Sequence, residues 1–413
     1  MGCPGCGTQI ENFAFLCYTY LLSASSFSAK LEGKILKFLH TGDLHIGKRV
    51  NEISMLEEQR HILQQITEIA VQQQVDAILI AGDIYDKSVP PAEAVCVFDW
   101  FLTELAAQKI PVFAISGNHD SAERLAFVSS ILDRQDIHFS PVFRGTVSHH
   151  VMQDTLGAVH IYLLPFLKPA MVRPFFPEET IESYDDAIRC VLDHTAIDPG
   201  ARNILIAHQF VVSDGQEPER CDSETVSVGG IDSVSAALFD GFDYVALGHL
   251  HGRQSIGRET IHYSGSPLKY SFSEVRQEKG VTIVSVGEKG DVHLSTVPLT
   301  PIHEMRELHG PIEELLSPLA VASGDPNDYL HVTLTDAAVM DAAARVRSVY
   351  PNLMKLDFDN ALSRANASLH SVDLSRKTTD LELFIQFYEM QNQQPLTGES
   401  LERMRRIIEE GAL

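Results

Sequence analysis

The chain has 413 residues, of which 44% are hydrophobic and 21% charged, the composition of a globular protein with room for two or three domains. Asp and Glu number 56 against 32 Lys and Arg, and the formal net charge of -24 excludes a protein drawn to nucleic acid by bulk electrostatics. No apolar run reaches the roughly 18 residues of a membrane span, and the six cysteines form no disulfide framework, so we expect a cytoplasmic protein.

The first 35 residues differ from the rest of the chain. The apolar stretch 13–29 looks like the core of a signal peptide, but it is preceded by Glu11 and by no Lys or Arg. The first predicted strand that leads to candidate functional residues begins at Leu36, and no Met lies between Met1 and that position. We therefore expect residues 1–35 to be an extension outside the fold, with Leu36 as a candidate start of the native protein.

From Leu36 to about residue 257, apolar strands alternate with amphipathic helices. Ser54 is expected to cap a helix that runs to Gln74, and Ala92–Gln108 is predicted as a second helix. The apolar runs of strand length are Lys37–His40, Asp76–Ile80, Pro111–Ile115, His160–Leu164, Asn203–Ala207 and Tyr244–Leu247. Strands without a polar face predict an α/β core that is covered on both faces.

Shorter strands follow and predict a β-rich closing layer: Thr260–Ser264, Val281–Val286 and Val292–Val297. From Pro301 a small α+β module is predicted, in which the strands Tyr329–Thr335 and Lys355–Asp359 flank a helix over Asp336–Tyr350. The end of the chain, Asp380–Leu413, is predicted to form two helices.

Potential metal ligands follow the ends of five strands. In chain order they are Asp43 and His45; Asp83; Asn118, His119 and Asp120; His208; and His249 and His251. Because the carboxyl ends of strands in an open α/β sheet form the usual binding edge, the five groups can converge on one point. A lone histidine is more often a plain core or surface residue, and we expect no function for His61, His138, His149, His150 and His262.

The ligand types indicate a class of ion. Carboxylates combined with several imidazoles suit Mn, Fe or Zn better than Ca or Mg. The i, i+2 spacing of Asp43 and His45, and of His249 and His251, puts both side chains of each pair on one side of an extended segment. Asp83 lies between the other groups in chain order and is the candidate for a carboxylate shared by two ions.

The motif order D-x-H, G-D, G-N-H-D, H, G-H-x-H resembles that of the calcineurin-like metallophosphoesterases. The flanking segments 38–48 (FLHTGDLHIGK), 81–86 (AGDIYD) and 263–267 (YSGSP) are similar to the branch of DNA-repair nucleases that includes bacterial SbcD. The resemblance extends from Phe38 through the C-terminal helices.

The resemblance implies a role for each matching residue. The ligands implied for one divalent ion are Asp43, His45, Asp83 and His251, and those implied for the other are Asp83, Asn118, His208 and His249. Mn²⁺ is the favoured metal. As catalytic residues, His119 would contact the scissile phosphate and protonate the leaving oxygen, and Asp120 would support His119. Asp86 stands where some family members carry His, which leaves a catalytic part for it open.

The resemblance also implies an architecture. The expected fold is a metallophosphoesterase βαβ sandwich with helices on both faces, followed by a small α+β capping domain and C-terminal helices. On this chain, residues 36–300 correspond to the nuclease domain, residues 301–376 to the capping domain, and residues 377–413 to a helical segment that binds an ATPase partner.

The implied function is that of the nuclease subunit of an SbcCD-type complex. Such a subunit would act as an ATP-dependent double-strand exonuclease and single-strand endonuclease on DNA ends and hairpins in repair, recombination and replication at the nucleoid. The implied partners are DNA and an SbcC-type coiled-coil ATPase, with a homodimer inside a heterotetramer. Two alternatives stay open: a stand-alone metallophosphoesterase acting on nucleotides or phosphoproteins, and a scaffold on a degenerate phosphoesterase fold. The complete set of ligand types argues against the scaffold.

Overall fold

The computed structural model describes residues 35–127, 129–213, 217–224 and 232–360, with the isolated positions 385, 388, 398, 400, 401, 403 and 404. The expected extension over residues 1–35, Ile35 excepted, lies outside these described residues. So does the segment expected to bind an ATPase, residues 377–413, apart from the isolated positions. Among the described residues, no helix combines the length and the apolarity needed to cross a membrane.

The described ranges contain nineteen strands, numbered here in chain order. They are β1 (Leu36–Thr41), β2 (Arg49–Val50), β3 (Ile53–Ser54), β4 (Ala77–Ala81), β5 (Val112–Ile115), β6 (Ile137–Phe139), β7 (Ser148–Asp154), β8 (Gly157–Leu164), β9 (Arg202–His208), β10 (Phe210–Val212), β11 (Ser233–Ser235), β12 (Tyr244–Gly248), β13 (Gln254–Ile256), β14 (Arg258–Tyr263), β15 (Gly280–Val286), β16 (Val292–Pro298), β17 (Met305–Gly310), β18 (Tyr329–Leu334) and β19 (Leu353–Phe358).

The same ranges contain nine α-helices. They are α1 (Leu56–Gln72), α2 (Ala92–Ala107), α3 (Ala122–Leu125), α4 (Ser129–Leu132), α5 (Pro169–Val172), α6 (Tyr184–Asp193), α7 (Ile312–Leu315), α8 (Pro318–Val321) and α9 (Ala342–Arg347).

Two six-stranded sheets form the main body. One has the strand order β16-β15-β1-β4-β5-β6 and the other β13-β14-β12-β9-β8-β7. In the first sheet β1, β4, β5 and β6 run parallel, and in the second β8, β9, β12 and β14 do. The remaining strands pair antiparallel at the margins. Parallel strands end at the same edge of a sheet, so each sheet gathers its carboxyl ends at one place.

The side chains of the central strands alternate between two apolar layers. In β4, Ala77 and Leu79 face the second sheet, whereas Ile78 and Ile80 pack with α1 and α2. Strands β9 and β12 divide in the same way, between the interface of the two sheets and a layer packed with α5 and α6. Both faces of each central strand are therefore buried, which explains why these strands read as continuous apolar runs. The predicted sandwich core with helices on both faces is confirmed.

A third sheet follows the sandwich. It consists of β17, β18 and β19, all parallel, and has an apolar cluster of its own that includes Val332 and Val346. Buried Glu58 in α1 joins it to the sandwich, since its carboxylate accepts hydrogen bonds from the backbone N and Nδ1 of His303 at 2.9 and 2.7 Å. An ion pair of 2.7 Å between Lys269 and Glu304 makes a second link.

Two expectations about helices are wrong in detail. The N-cap of α1 is Met55, which makes no side-chain cap, rather than Ser54. The helix expected over Asp336–Tyr350 is confined to α9, because Asp341 adopts a left-handed backbone conformation with φ of 52°, which a right-handed helix cannot contain.

Candidate metal centre

The carboxyl ends of five strands meet at one edge of the sandwich. From the first sheet, β1 leads to Asp43 and His45, β4 to Asp83, and β5 to Asn118, His119 and Asp120; from the second sheet, β9 ends in His208 and β12 leads to His249 and His251. The two sheets touch here directly, since Nδ1 of His208 lies 2.7 Å from the carbonyl oxygen of Ala81 at the end of β4. The expected ligands are thus brought together from residues spread over two hundred positions.

One group of donors surrounds His251. Its Nε2 lies 3.1 Å from Nε2 of His45, and the ligand atoms of Asp43, His45 and His251 all lie within 4.8 Å of one another. All three side chains are buried. Two imidazole nitrogens and a carboxylate in this arrangement match the ligand types of a transition-metal ion.

A second group surrounds Asn118. Its Oδ1 lies 3.0 Å from Nε2 of His208 and 2.9 Å from Nδ1 of His249. The ligand atoms of Asp43, Asp83 and His208 also lie within 4.8 Å of one another. An amide oxygen, imidazoles and carboxylates therefore converge on a second point beside the first.

Asp83 lies between the two groups. Its Oδ2 is 3.7 Å from Nε2 of His45 and 3.4 Å from Nε2 of His208. Its Oδ1 accepts a hydrogen bond of 2.8 Å from the backbone N–H of His119. One carboxylate therefore contacts both groups of donors and is itself held in orientation by the loop after β5.

The backbone is strained where it carries the ligands. Asp43, His45, Asp83 and His249 have φ values of 50°, 44°, 46° and 102°, a region that residues with a side chain rarely adopt. Hydrogen bonds from the N–H groups of Asp43 and His45 to the carbonyls of Gly82 and Asp83 tie the loops after β1 and β4 together. Strain of this kind clusters at functional sites and persists only where the surroundings enforce it.

Two glycines make room for the site. A Cβ at Gly117 would lie 2.1 Å from Oδ1 of Asp83, and a Cβ at Gly248 would lie 1.9 Å from the carbonyl oxygen of Ala81. Neither position tolerates a side chain without a shift of the strand ends. Gly248 thus serves the close approach of the two sheets, and Gly117 serves the close approach of the loops after β4 and β5 within the first sheet.

The rings of His208 and His119 are held in orientation by hydrogen bonds on the side that faces away from the ligand groups. Nδ1 of His208 can only donate to the carbonyl of Ala81, which leaves Nε2 facing Asn118 and Asp83. Nδ1 of His119 donates in the same way to the carbonyl of Asp86 at 2.9 Å. Each ring therefore presents its Nε2 to the site.

The pKa values of the site residues show that burial disfavours the charged forms of their side chains. Burial raises the pKa of Asp43 to about 7 and lowers the pKa of His249 to about 3. For Asp83 and His208 burial opposes the charged forms. Their mutual attraction outweighs burial, so the pKa of Asp83 lies well below its usual range and that of His208 rises to about 9. Two buried carboxylates among several imidazole nitrogens form a donor set that fits divalent cations, whose binding would displace the proton from His208.

Comparison with known proteins identifies the family. The model of the calcineurin-like phosphoesterases matches residues 36–253, and that of the type 5 capsule protein repressor C-terminal domain matches residues 301–392. The chain is 31% identical over 381 residues to the SbcD subunit of the nuclease SbcCD from Staphylococcus epidermidis, covering 90% of this chain and 98% of that protein. The chain belongs to the SbcD family of nuclease subunits.

A solved structure also matches. It is the crystal structure of TT1561 of Thermus thermophilus, with a TM-score of 0.34 and 10% identity, covering 64% of this chain and 99% of that one. The resemblance to calcineurin-like phosphoesterases and to the SbcD branch, predicted from the motifs, is confirmed by the family matches.

Asp120 has surroundings other than those expected for a support of the His119 ring in an SbcD-family site. Its Oδ2 accepts hydrogen bonds from the N–H groups of Ile84 and Gly117, and its Oδ1 accepts one from Tyr85, all at 2.9 to 3.0 Å. The carboxylate therefore clamps the loop after β4 to the loop after β5. The group that holds the ring of His119 is the carbonyl of Asp86, whereas Asp120 orders the loop that carries His119. The catalytic part expected for Asp120 stays a prediction.

Sequence reasoning missed the residues that support the ligands of this SbcD-family site. The side-chain amide of Gln59, in α1, donates to the carbonyl of His45 at 2.7 Å, and the ring of Tyr270 stands edge-on to the rings of His45 and His251. Gln59 and Tyr270 are hydrogen-bonded to each other at 3.1 Å across 211 positions of sequence. No local pattern marks such residues, because their partners are defined only by the fold.

Proposed function

We propose that this chain is the nuclease subunit of an SbcCD-type complex and hydrolyses DNA phosphodiesters with two divalent ions, of which Mn²⁺ is favoured. One observation carries the proposal: seven ligand side chains from five strand ends converge in a buried site of a chain of the SbcD family. A degenerate scaffold would not need a complete set of ligand residues on a strained backbone.

The two groups of donors suggest how the ions are shared. Asp43, His45, Asp83 and His251 would hold one ion, and Asp83, Asn118, His208 and His249 the other. The position of Asp83 Oδ2 between His45 and His208 supports its role as the bridge. When bound, two divalent ions neutralise the oxygens of a phosphodiester and lower the pKa of a water molecule enough for it to attack near neutral pH.

His119 is suited to move a proton to the leaving oxygen. Its Nδ1 is committed to the carbonyl of Asp86, so Nε2 is the atom that would hold the proton. Its ring lies edge-on to that of His45, with centroids 4.8 Å apart, which puts it beside the ligand groups. Lys48, paired with Asp86 at 2.8 Å, stands on the same side and would contribute positive charge near the phosphate.

A cleft with two arginines and a lysine in its lining could hold a polymeric anion. It has a volume of about 680 Å³ and lies between the sandwich and the third sheet, and Arg49, Arg276, His331 and Lys355 line it together with Asp222 and Glu307. Tyr270 also lines the cleft and contacts the rings of His45 and His251, so the cleft lies next to the ligand groups. Local cations of this kind would let an acidic protein bind the backbone of DNA.

An ATPase partner of the SbcC type would supply the rest of the DNA-binding surface. The proposed complex is a heterotetramer with two copies of this chain, acting in the cytoplasm at the nucleoid as an ATP-dependent double-strand exonuclease and single-strand endonuclease. Deleting Asp380–Leu413 should abolish capture of the ATPase in a pull-down and leave Mn²⁺-dependent hydrolysis of bis-p-nitrophenyl phosphate intact. Capture by the shortened chain would contradict the assignment of this segment.

Substrate class is tested by comparing a small phosphodiester with duplex DNA. The double variant Arg276→Ala/Lys355→Ala should lower cleavage of linear duplex DNA about 10-fold or more, because each phosphate contact contributes to affinity, and should leave bis-p-nitrophenyl phosphate hydrolysis unchanged. Lys289→Ala, which removes one positive charge at the far edge of the sandwich, is the matched control. A wild-type chain that hydrolyses nucleotides or phosphoproteins but no DNA, with or without the ATPase and ATP, would overturn the proposal in favour of a stand-alone phosphoesterase.

A further inference from the structure

His251 is held from behind by a chain of polar side chains. Its Nδ1 lies 2.7 Å from Oγ of Ser223, and Oγ of Ser223 donates to Oε1 of Glu274 at 2.5 Å. Oε2 of Glu274 forms an ion pair of 2.6 Å with Nζ of Lys279. We refer to these three residues as the Ser223–Glu274–Lys279 chain.

The hydrogen bonds in this chain have a defined direction. Glu274 accepts from the backbone N–H of Tyr270 and from Oγ of Ser271, both at 3.2 Å, as well as from Lys279, so its carboxylate is surrounded by donors. The single hydroxyl proton of Ser223 therefore points to Glu274. Oγ of Ser223 is then left as an acceptor, and Nδ1 of His251 must carry a proton to donate to it.

This direction determines the tautomer of His251. With the proton on Nδ1, the lone pair is on Nε2, the atom that faces His45 at 3.1 Å in the first group of ligands. A water molecule could serve the same Nδ1, but it would leave the ring free to rotate. The ordered hydroxyl fixes both the tautomer and the plane of the ring.

The far end of the chain is anchored in the fold. Glu274 is fully buried, and Nζ of Lys279 also donates to Oγ of Ser266 and to the carbonyl oxygen of His251, both at 2.9 Å. Lys279 thus holds the backbone of His251 while Glu274, through Ser223, holds its ring. The backbone N–H of His251 donates at 2.6 Å to Oε1 of Glu224, the residue after Ser223.

We propose that the Ser223–Glu274–Lys279 chain is a positioning device that fixes His251 as a ligand and thereby sets the affinity of one of the two divalent ions. The inference rests on the proposed metal site and extends it to residues outside the ligand set. Residues that orient a metal-binding histidine typically change metal affinity 10- to 100-fold when removed. The ion held by Asn118, His208 and His249 does not depend on this chain.

The test is a Mn²⁺ titration of the metal-free, full-length protein that is monitored by calorimetry and by electron paramagnetic resonance. Wild-type protein should bind two ions and give the spectrum of a coupled pair. Ser223→Ala should weaken one ion about 10- to 100-fold and leave the other unchanged, so that a mononuclear spectrum appears at intermediate Mn²⁺. Ser223→Thr retains the hydroxyl and should restore the coupled pair.

A second variant asks whether the residues act as one chain. Glu274→Gln keeps the shape of the side chain. Its one remaining oxygen is needed to accept from Lys279, so its NH2 group faces Ser223 and cannot accept the hydroxyl proton. Its loss of affinity should fall on the same ion, and the double variant should lose little more than either single one, because coupled residues are not additive. If Glu274→Gln does not fold, Ser223→Ala and Ser223→Thr decide the question alone.

Asp154→Asn is the control for a general loss of stability, since it weakens another buried ion pair, with Arg202, far from the site. It should melt earlier and bind both ions normally. Unchanged binding of both ions by Ser223→Ala would overturn the positioning role while leaving the metal site intact. Equal weakening of both ions, or an identical loss in Asp154→Asn, would also overturn it. Wild-type protein that binds no Mn²⁺ would overturn the metal site and the inference together.

Discussion

The two edges of the sandwich both bury charged groups, but they satisfy them differently. At the edge where β1, β8 and β9 begin, Arg202 forms a bidentate pair with Asp154 at 2.6 and 2.9 Å, and Asp154 also accepts from the N–H of Leu36. At the opposite edge, Asp43 and Asp83 are buried among histidines whose ring nitrogens converge.

The buried charges at one edge stabilise the fold, whereas those at the other edge are placed to serve a function. Asp154 finds its counter-charge inside the chain, so its hydrogen bonds are complete without any ligand. The carboxylates of the metal centre are instead partnered by histidines and backbone N–H groups, and their backbone is strained as well. Substitutions at the two edges should therefore have opposite signatures, one on stability and the other on metal content and activity.

The largest effect is expected at the carboxylate shared by both groups of ligands. Asp83→Ala should remove both ions and reduce nuclease activity to background, because Asp83 contacts both His45 and His208. Elemental analysis of the purified variant measures the metal content. Retention of two Mn²⁺ per chain would refute the bridging role. The fold should survive, because buried His208 can lose its proton once its carboxylate partner is removed.

His119→Gln should separate catalysis from metal binding. The variant should keep both ions and lose about 10²- to 10⁴-fold in nuclease rate, the contribution of a general acid. Lost metal, measured by elemental analysis, would move His119 into the ligand set. Activity on a phosphodiester with a good leaving group such as p-nitrophenolate should fall less than activity on DNA, because that leaving group does not need the proton.

The sequence predicted which side chains converge at the carboxyl edge, and the strands that carry them, better than it predicted which layer covers each strand. The apolar run of β4 followed by Gly82 and Asp83 marks a buried strand with a ligand at its end, whatever packs on either face. The same run cannot tell whether a helix or a second sheet covers it, because both bury it equally. Ser223 and Glu274 carry no local signal at all, since they meet His251 only in the fold.

The other edge should show the opposite signature. Asp154→Ala should lower the free energy of unfolding by about 3 to 5 kcal/mol, because it leaves the guanidinium of Arg202 buried without its partner. Urea unfolding measures the loss, and metal content should stay at the wild-type level. A combined variant Asp154→Leu/Arg202→Met should recover much of the stability, since apolar replacement of both partners is often neutral.

Between the two edges lie buried polar groups whose hydrogen bonds are satisfied at neutral pH and are disturbed by protonation in acid. His262 is bonded to Oγ of Ser255 at 2.9 Å and to Oγ1 of Thr282 at 3.0 Å, across the interface of the two sheets. Burial, and then the charge of Arg253, lowers the pKa of His262 to about 4. Because its pKa in the unfolded chain is near 6.5, the unfolded state binds the proton first and acid favours unfolding.

The contribution of neutral His262 to the free energy of unfolding is therefore fully present above about pH 6.5 and is lost as the pH falls towards 4. Between pH 7.5 and 4.5 this one group should cost about 2.5 kcal/mol, and the variant His262→Gln should lack that part of the pH dependence. Urea unfolding in the presence of EDTA measures it, since cation release then makes no contribution. His293→Gln, at a largely exposed histidine, should keep the wild-type slope. An unchanged slope in His262→Gln would mean that His262 takes up its proton at the same pH in the folded and the unfolded chain, with Thr282 and Ser255 both accepting from the charged ring.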